Sequence, residues 1–283
     1  MTVDPTLPPA LIIVAPNGAR RGRDDHGRLP LSPDDMAECA ALCQEAGAAM
    51  IHMHARDDEG RHSLDPDLNR RFIDRVKDTV GDNLIIQMTT EAVGQYTPAQ
   101  QMASVRKVIP DAVSLAIAEL LPVSEGEGKS MQGDRDIQGV GEFLAWVSES
   151  GILPQYILYD VHDVQRYHQL KMSGFIPSTG HHLLFVIGRR GQGSPADLAT
   201  MLAAHCDDTP WAVCGFGALE YPVCMGALAM GGDVRVGFEN NLLLNHGDTA
   251  PDNAALVQQV AGIARQLNRP ILNALEARHR LLK

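Results

Sequence analysis

Residues 48–54 read AAMIHMH, a short apolar run with histidines at two alternate positions. Runs of this kind favour a buried strand, and alternate residues of a strand point to the same face. The run therefore predicts a strand that presents His52 and His54 side by side near its C-terminal end.

Seven further runs of the same type alternate with stretches of helical periodicity, several of which open with a capping hydroxyl and a proline. The runs cover residues 11–14, 84–88, 112–118, 154–160, 182–187, 211–214 and 234–238. The helix starts are Ser32-Pro33, Thr97-Pro98 and Ser194-Pro195. Strict alternation predicts a parallel sheet, and eight such units close most naturally as a TIM (β/α)8 barrel of the α/β class.

Composition sets the broad class of protein. With 283 residues, the chain has the length of a single barrel domain over 1–283, in which residues 253–283 form one or two closing helices. A net charge of -11 argues against a nucleic-acid partner, because phosphate backbones would be repelled. Five cysteines without a CxxC pair favour a reducing cytoplasm, and the N-terminal apolar run is too short to span a membrane.

A third side chain joins the two histidines in this arrangement. Glu239 follows the eighth strand, which neighbours the first strand in a closed barrel, so its carboxylate can reach His52 and His54. Two histidines and one carboxylate with an open position are typical of a catalytic zinc site. The alternative is a pair of inert, hydrogen-bonded histidines in the barrel mouth with a solvated glutamate.

Further polar residues are expected near the same end of the barrel. Arg235 has the parity of Glu239 and should point into the barrel, either as a catalytic group or as half of a structural ion pair. Thr89 and Thr90 end the third strand, where hydroxyls and amides can hold a carboxylate. The stretch 188–193, GRRGQG, is a weak phosphate-binding signal.

Taken together, these segments resemble the β-keto acid cleavage enzymes, the family that includes 3-keto-5-aminohexanoate cleavage enzyme. The resemblance runs nearly end to end. It is carried by residues 17–19 (NGA), 47–57 (GAAMIHMHARD), 86–90 (IQMTT), 185–188 (FVIG), 209–215 (TPWAVCG) and 231–241 (GGDVRVGFENN).

The resemblance implies a TIM barrel with zinc bound by His52, His54 and Glu239. It implies that a β-keto acid reacts with acetyl-CoA to give acetoacetate and a new CoA thioester, usually in a homo-oligomer, here a dimer or tetramer. The zinc would polarise the keto carbonyl, and Arg235 would take part in the proton chemistry. The hydroxyls of Thr89 and Ser114 would bind the substrate's carboxylate. We add Thr90, Asn17 and Arg20 as further substrate-binding residues.

Four positions depart from the family pattern. Asn240 replaces a common aspartate, and Arg20 replaces an acid, both expected near Arg235. Glu91 and Glu119 stand where the family tends to have small residues. Two interpretations stay open for these acids: they supply the base, or they select a substrate with a cationic or polar tail. We assign catalytic roles to Arg235, Asn240 and Glu119.

Two other functions remain as alternatives. Metal-dependent hydrolases of the amidohydrolase kind also carry HxH in a barrel, but on the first strand. A zinc-site binding protein with altered or lost catalysis is the other alternative, because two acids near Arg235 are replaced.

Overall fold

Eight parallel strands form a closed barrel in which each strand pairs with its sequence neighbours and β1 pairs with β8. The computed structural model describes residues 7–121, 131–189 and 191–283, with the backbone alone for residues 131–136. The strands are β1 (Ile12–Val14), β2 (Met50–Met53), β3 (Ile85–Met88), β4 (Ala112–Ala116), β5 (Leu153–Leu158), β6 (His182–Ile187), β7 (Trp211–Gly215) and β8 (Asp233–Val236). The predicted TIM barrel is confirmed, and all eight predicted strands are present.

A helix follows each strand, with one additional short helix after β4 and one additional helix at the C-terminal end. The helices are α1 (Pro33–Ala46), α2 (Pro66–Val80), α3 (Pro98–Val108), α4 (Ile117–Leu120), α5 (Met131–Glu149), α6 (Val161–Met172), α7 (Pro195–Ala204), α8 (Glu220–Ala229), α9 (Asn253–Gln266) and α10 (Ala274–Leu281).

The predicted helix starts are confirmed. Ser32, Thr97 and Ser194 are the N-caps of α1, α3 and α7, and each forms a capping box with the third helical residue. The fourth predicted strand extended to residue 118, which is wrong. It ends at Ala116, the last residue paired with β5, and Ile117 begins α4.

The apolar core has two layers. The larger layer lies between the outer face of the barrel and the helices and includes Phe72, Phe143 and Val257. The smaller layer fills the barrel interior. Helix α10 adds Ala277 and Leu281 to this interior layer and so covers the N-terminal end of the barrel. The C-terminal end remains open to a cavity.

Within the part of the chain that the structure describes, no helix has both the length and the apolar character needed to span a membrane.

Candidate metal centre and cavity

Three side chains converge at the C-terminal end of the barrel, and each places one possible ligand atom close to the other two. His52 belongs to β2, His54 follows it directly, and Glu239 lies three residues beyond β8. The two Nε2 atoms are 3.1 Å apart, and Oε2 of Glu239 lies 3.4 Å from each of them. The structure therefore brings the three predicted ligand residues together.

The triangle has the dimensions of a zinc site. Tetrahedral ligands at about 2.0–2.2 Å from zinc lie about 3.4 Å from one another. Oε2 of Glu239 is buried and has no hydrogen-bond partner among the residues that the structure describes. A buried carboxylate oxygen without a donor is costly unless a cation satisfies it. The residues present therefore fit a divalent metal ion.

Neighbouring groups decide which nitrogen of each histidine is free. Nδ1 of His52 lies 2.8 Å from Oε1 of Gln87, so Nδ1–H donates and Nε2 keeps its lone pair. Nε2 of His62 donates to the backbone oxygen of Glu91 at 2.9 Å, which leaves Nδ1 of His62 as an acceptor. That atom lies 3.4 Å from Nδ1 of His54, so His54 also presents a bare Nε2.

Burial keeps the imidazoles of His52 and His62 neutral. It lowers the pKa of His52 to about 3, with a further lowering by Arg235, although Glu239 acts in the opposite direction. It also lowers the pKa of His62 to about 3. Burial alone would raise the pKa of Glu239, but the adjacent guanidinium of Arg235 holds it well below its usual value. Two lone pairs and one carboxylate therefore face one another, an arrangement that a cation stabilises.

Two glycines allow the segment after β8, which carries Glu239, to approach the residues that follow β1. Gly237 has a φ of 136°, and a Cβ there would lie 2.4 Å from the backbone oxygen of Ala15. Gly18 has a φ of 60°, and a Cβ there would lie 2.6 Å from Cγ of Glu239. Because both positions require left-handed backbone and close contact, only glycine fits them without displacing Glu239.

Arg235 is buried on β8 below the triangle. Its Nη2 lies 3.0 Å from Oε1 of Glu239 and 3.4 Å from Sγ of Cys214. Although burial acts to lower the pKa of Arg235, Cys214 and Glu239 leave it above its usual value. The expected lumenal position and carboxylate partner are therefore present, and the side chain is a cation and hydrogen-bond donor.

A cavity of about 840 Å³ opens over the triangle and is lined by all five predicted substrate-binding residues. Thr89, Thr90 and Ser114 lie on its wall at the ends of β3 and β4. Oγ1 of Thr89 accepts from the backbone amide of Glu91, which leaves the Thr89 hydroxyl hydrogen for a ligand. Oγ1 of Thr90 instead donates to the backbone oxygen of Ser114 at 2.7 Å and ties the two strands together.

Beside His54, whose Nδ1 lies 4.0 Å from Oε2 of Glu91, the carboxylate of Glu91 joins two guanidinium groups. Oε1 of Glu91 lies 2.8 Å from Nη1 of Arg20 and 2.5 Å from Nη2 of Arg189. Arg189 also stacks over the ring of Tyr159, with its Cζ 4.8 Å from the ring centroid, and donates to the hydroxyl of that tyrosine. The charge of Glu91 is thus offset within the cavity, and Arg20 lies at its edge.

The remaining predicted residues differ in their placement. Glu119 lines the cavity, and its Oε2 accepts from the amide of Ala92 and from Nε2 of Gln101. Asn17 also lines the cavity, but its side-chain amide bonds the backbone of His54 and supports the metal ligand instead of offering donors to a substrate.

Asn240 is not among the cavity residues. Its backbone amide donates to the backbone oxygen of Gly237 at 2.8 Å. Within this tight turn, Glu239 faces the cavity whereas Asn240 is fully buried. Its side-chain oxygen and nitrogen have no hydrogen-bond partner among the described residues. The structure therefore does not bring Asn240 to the position that its predicted catalytic role requires.

Sequence reasoning missed three residues of the site. His62 supports His54, Gln87 supports His52, and Arg189 holds Glu91. Gln87 has the parity of a lumenal residue of β3, a signal that could have indicated it. Arg189 belongs to the stretch considered for phosphate binding, and its ion pair with Glu91 crosses the cavity in a way that sequence spacing does not reveal.

Comparisons with known proteins agree on one family. The family model described as beta-keto acid cleavage enzyme matches residues 9–282. A 3-keto-5-aminohexanoate cleavage enzyme of Fusobacterium nucleatum subsp. nucleatum is 28% identical over 271 residues, covering 95% of this chain and 96% of the relative. A 3-oxoadipate:acetyl-CoA acetyltransferase of Cupriavidus necator is 25% identical over 276 residues, covering 95% and 93%.

A solved structure described as a ternary complex of ObcA with C4-CoA adduct and oxalate has a TM-score of 0.68 at 17% identity. It covers 90% of this chain and 67% of that chain, and at this identity it supports the fold alone.

Proposed function

The chain belongs to the β-keto acid cleavage enzyme family, and we propose that it exchanges carbon–carbon bonds between a β-keto acid and acetyl-CoA. The bond between the keto carbon and the carboxymethyl carbon breaks, and that carboxymethyl carbon bonds to the acetyl carbonyl carbon. The CoA sulfur takes the remaining acyl group. The products are acetoacetate and a new CoA thioester, and no oxidant or reductant is needed.

The observation that carries this proposal is the triangle formed by His52, His54 and Glu239 at the floor of the cavity. A metal ion held by these three residues would keep an open coordination position for a substrate in the cavity that they line. We propose zinc as the metal because two imidazole nitrogens and one carboxylate are its usual catalytic ligands. When bound, the ion supplies Lewis acidity that polarises the keto carbonyl.

We assign substrate binding to the wall formed by the ends of β3 and β4. The hydroxyls of Thr89 and Ser114 face the cavity beside the triangle and are suited to hold the carboxylate of the β-keto acid. Thr90 shapes this wall through its bond to Ser114. Arg20 and Arg189 lie further out, where they can contact the substrate's distal group or the CoA moiety.

Two residues are proposed for the charge and proton chemistry. Arg235 remains protonated and stabilises the negative charge that develops when the carboxymethyl carbon becomes a nucleophile. The carboxymethyl carbon becomes a nucleophile by losing a proton. Arg235, a cation with a raised pKa, cannot accept this proton, so the base is another group. We propose Glu119, because Glu91 is bridged by two guanidinium groups and Glu239 faces the metal triangle.

We also propose that the protein is a homo-oligomer, dimeric or tetrameric, in the cytoplasm. Cys39, Cys43, Cys206, Cys214 and Cys224 are free thiols, which supports a reducing compartment. Light scattering of the purified protein tests the oligomeric state.

The experiment is a label-transfer assay with zinc-loaded protein, acetyl-CoA carrying 13C at the acetyl carbonyl, and a panel of β-keto acids. The label is expected at the keto carbon of acetoacetate and not in the new thioester. His52→Ala should abolish both zinc binding and label transfer. Consumption of acetyl-CoA without labelled acetoacetate would indicate a hydrolase, and ligand binding without any product would indicate a binding protein.

A further inference from the structure

A continuous row of hydrogen-bonded side chains crosses the barrel interior from the metal triangle towards its N-terminal end. Its members come from five different strands and are at most 2% exposed. In order they are His52, Gln87, Gln155, His182 and Asp233. Buried polar side chains cost stability unless each is paired, so a chain of this length calls for a function.

The geometry of each link is clear. Nε2 of Gln87 lies 3.3 Å from Oε1 of Gln155, and Nε2 of Gln155 lies 2.8 Å from Nδ1 of His182. Nε2 of His182 lies 3.0 Å from Oδ2 of Asp233. Together with the bond between His52 and Gln87, these links form one unbroken path.

Asp233 fixes the direction of the whole path. A carboxylate can only accept, and Oδ1 of Asp233 accepts from the amide of Leu11 while Oδ2 accepts from Arg280 of α10. Nε2 of His182 must therefore donate to Asp233. Burial lowers the pKa of His182, so the ring is neutral and its Nδ1 is an acceptor.

Each remaining group then has a single allowed orientation. Gln155 must turn its NH2 towards His182 and its oxygen towards Gln87. Gln87 must likewise turn its NH2 towards Gln155, which leaves its oxygen facing Nδ1 of His52. His52 is consequently protonated at Nδ1 and bare at Nε2, the atom that belongs to the metal triangle.

We propose that His182 and Asp233 are positioning residues for the metal centre. They act on His52 through this row of hydrogen bonds, in which every donor points towards Asp233. They touch neither metal nor substrate, and they act by selecting the tautomer of His52 that can bind a metal. The proposal rests on the proposed metal centre for its purpose, but the tautomer itself can be measured in metal-free protein.

The test uses 15N NMR of histidine-labelled, metal-free protein together with zinc affinity. In the wild type, Nε2 of His52 and Nδ1 of His182 are expected to be unprotonated. Gln155→Leu cuts the row, so His52 should become a mixture of tautomers and the zinc dissociation constant should rise about tenfold. Gln155→Glu keeps an acceptor towards Gln87 and should keep the wild-type tautomer of His52.

Tyr156→Phe is the matched control. Tyr156 is the next residue of β5, is buried in the outer layer of the core, and its hydroxyl has no partner among the described residues. This variant should leave the tautomer of His52 and the zinc affinity unchanged. If Gln155→Leu does not fold, Gln155→Met makes the same cut with a flexible side chain.

The proposal is overturned if wild-type His52 is protonated at Nε2, or if a folded variant that cuts the row keeps both the wild-type tautomer and zinc affinity. If the tautomers are as stated but the wild type binds no zinc, the proposed function fails and the hydrogen-bonded row remains.

Discussion

Nη2 of Arg235 lies 3.0 Å from Oε1 of Glu239, so one carboxylate connects a buried guanidinium to the two histidines that its other oxygen faces. The two partners of this ion pair are four residues apart in the chain. It keeps Glu239 ionised inside the barrel, where burial alone would favour the neutral acid.

Arg235→Met should weaken zinc binding about 10- to 100-fold at neutral pH, because the ligand carboxylate loses its charge partner. The pKa of Glu239 is depressed in the folded protein, so its ionisation stabilises the site above the unfolded pKa and this contribution is lost as pH falls. The variant should therefore release zinc at a higher pH than the wild type. A chelator titration across pH 4–8 measures this release. Arg235→Lys, which keeps a charge, should lie between the two proteins, and identical release curves would contradict the assignment.

Gly18→Ala should reduce zinc affinity without unfolding the barrel. Gly18 has a φ of 60°, and the added methyl group would press on Cγ of Glu239 at 2.6 Å. Gly22→Ala is the matched control, because nothing lies within 4 Å of the corresponding Cβ position. Isothermal titration with zinc should show a loss of about tenfold or more for Gly18→Ala only. Equal affinities in the two variants would show that the close approach of Gly18 to Glu239 does not control zinc binding.

Glu91→Gln should shift substrate preference towards β-keto acids with a second carboxylate. Arg20 and Arg189 share Oε1 of Glu91, so removing this charge leaves two guanidinium groups facing the cavity. Arg189→Met should shift the preference in the opposite direction. The measurement is the ratio of kcat/KM for a dicarboxylic and an uncharged β-keto acid, with changes of about tenfold expected from a charge pair in a partly buried site. A ratio unaffected by both variants would place the substrate tail elsewhere.

Glu220→Gln should flatten the pH dependence of stability. Glu220 is buried on α8, and burial raises its pKa to about 8 from an ordinary value of 4.5. The folded protein therefore holds a proton that the unfolded chain has lost, so the free energy of unfolding should fall as pH rises from about 4.5 to 8 and level off above. Urea denaturation at several pH values measures the slope. A wild type whose stability does not fall over this interval would contradict the shift.

The sequence predicts the parts of this molecule that follow strand periodicity, and little of what loops bring together. His52 and Glu239 lie at or just beyond strand ends, where barrel closure makes neighbours of distant segments, so their meeting could be inferred. Asn240 was assigned to the site from the family pattern. Periodicity does not encode the direction of a side chain within a tight turn, so the burial of Asn240 behind Glu239 could not be predicted. Arg189 and His62 reach the site from loops, and their partners depend on loop geometry that hydrophobic patterns do not specify.

Glu119→Gln tests the proposed base directly. The substitution keeps an oxygen that can accept from the amide of Ala92 and from Gln101, so the local structure should persist. Because a positioned general base contributes about 10²- to 10⁴-fold, kcat should fall by at least about 100-fold while zinc affinity stays unchanged. Gln101→Met is the control that disturbs the same contact but leaves the carboxylate in place, and it should retain most of the activity. Exchange of the carboxymethyl protons with deuterated solvent, followed by NMR in the presence of zinc and without acetyl-CoA, isolates the proton-transfer step. If Glu119→Gln exchanges these protons as fast as the wild type, the base is a different group, and Glu119 only supports the loop after β3.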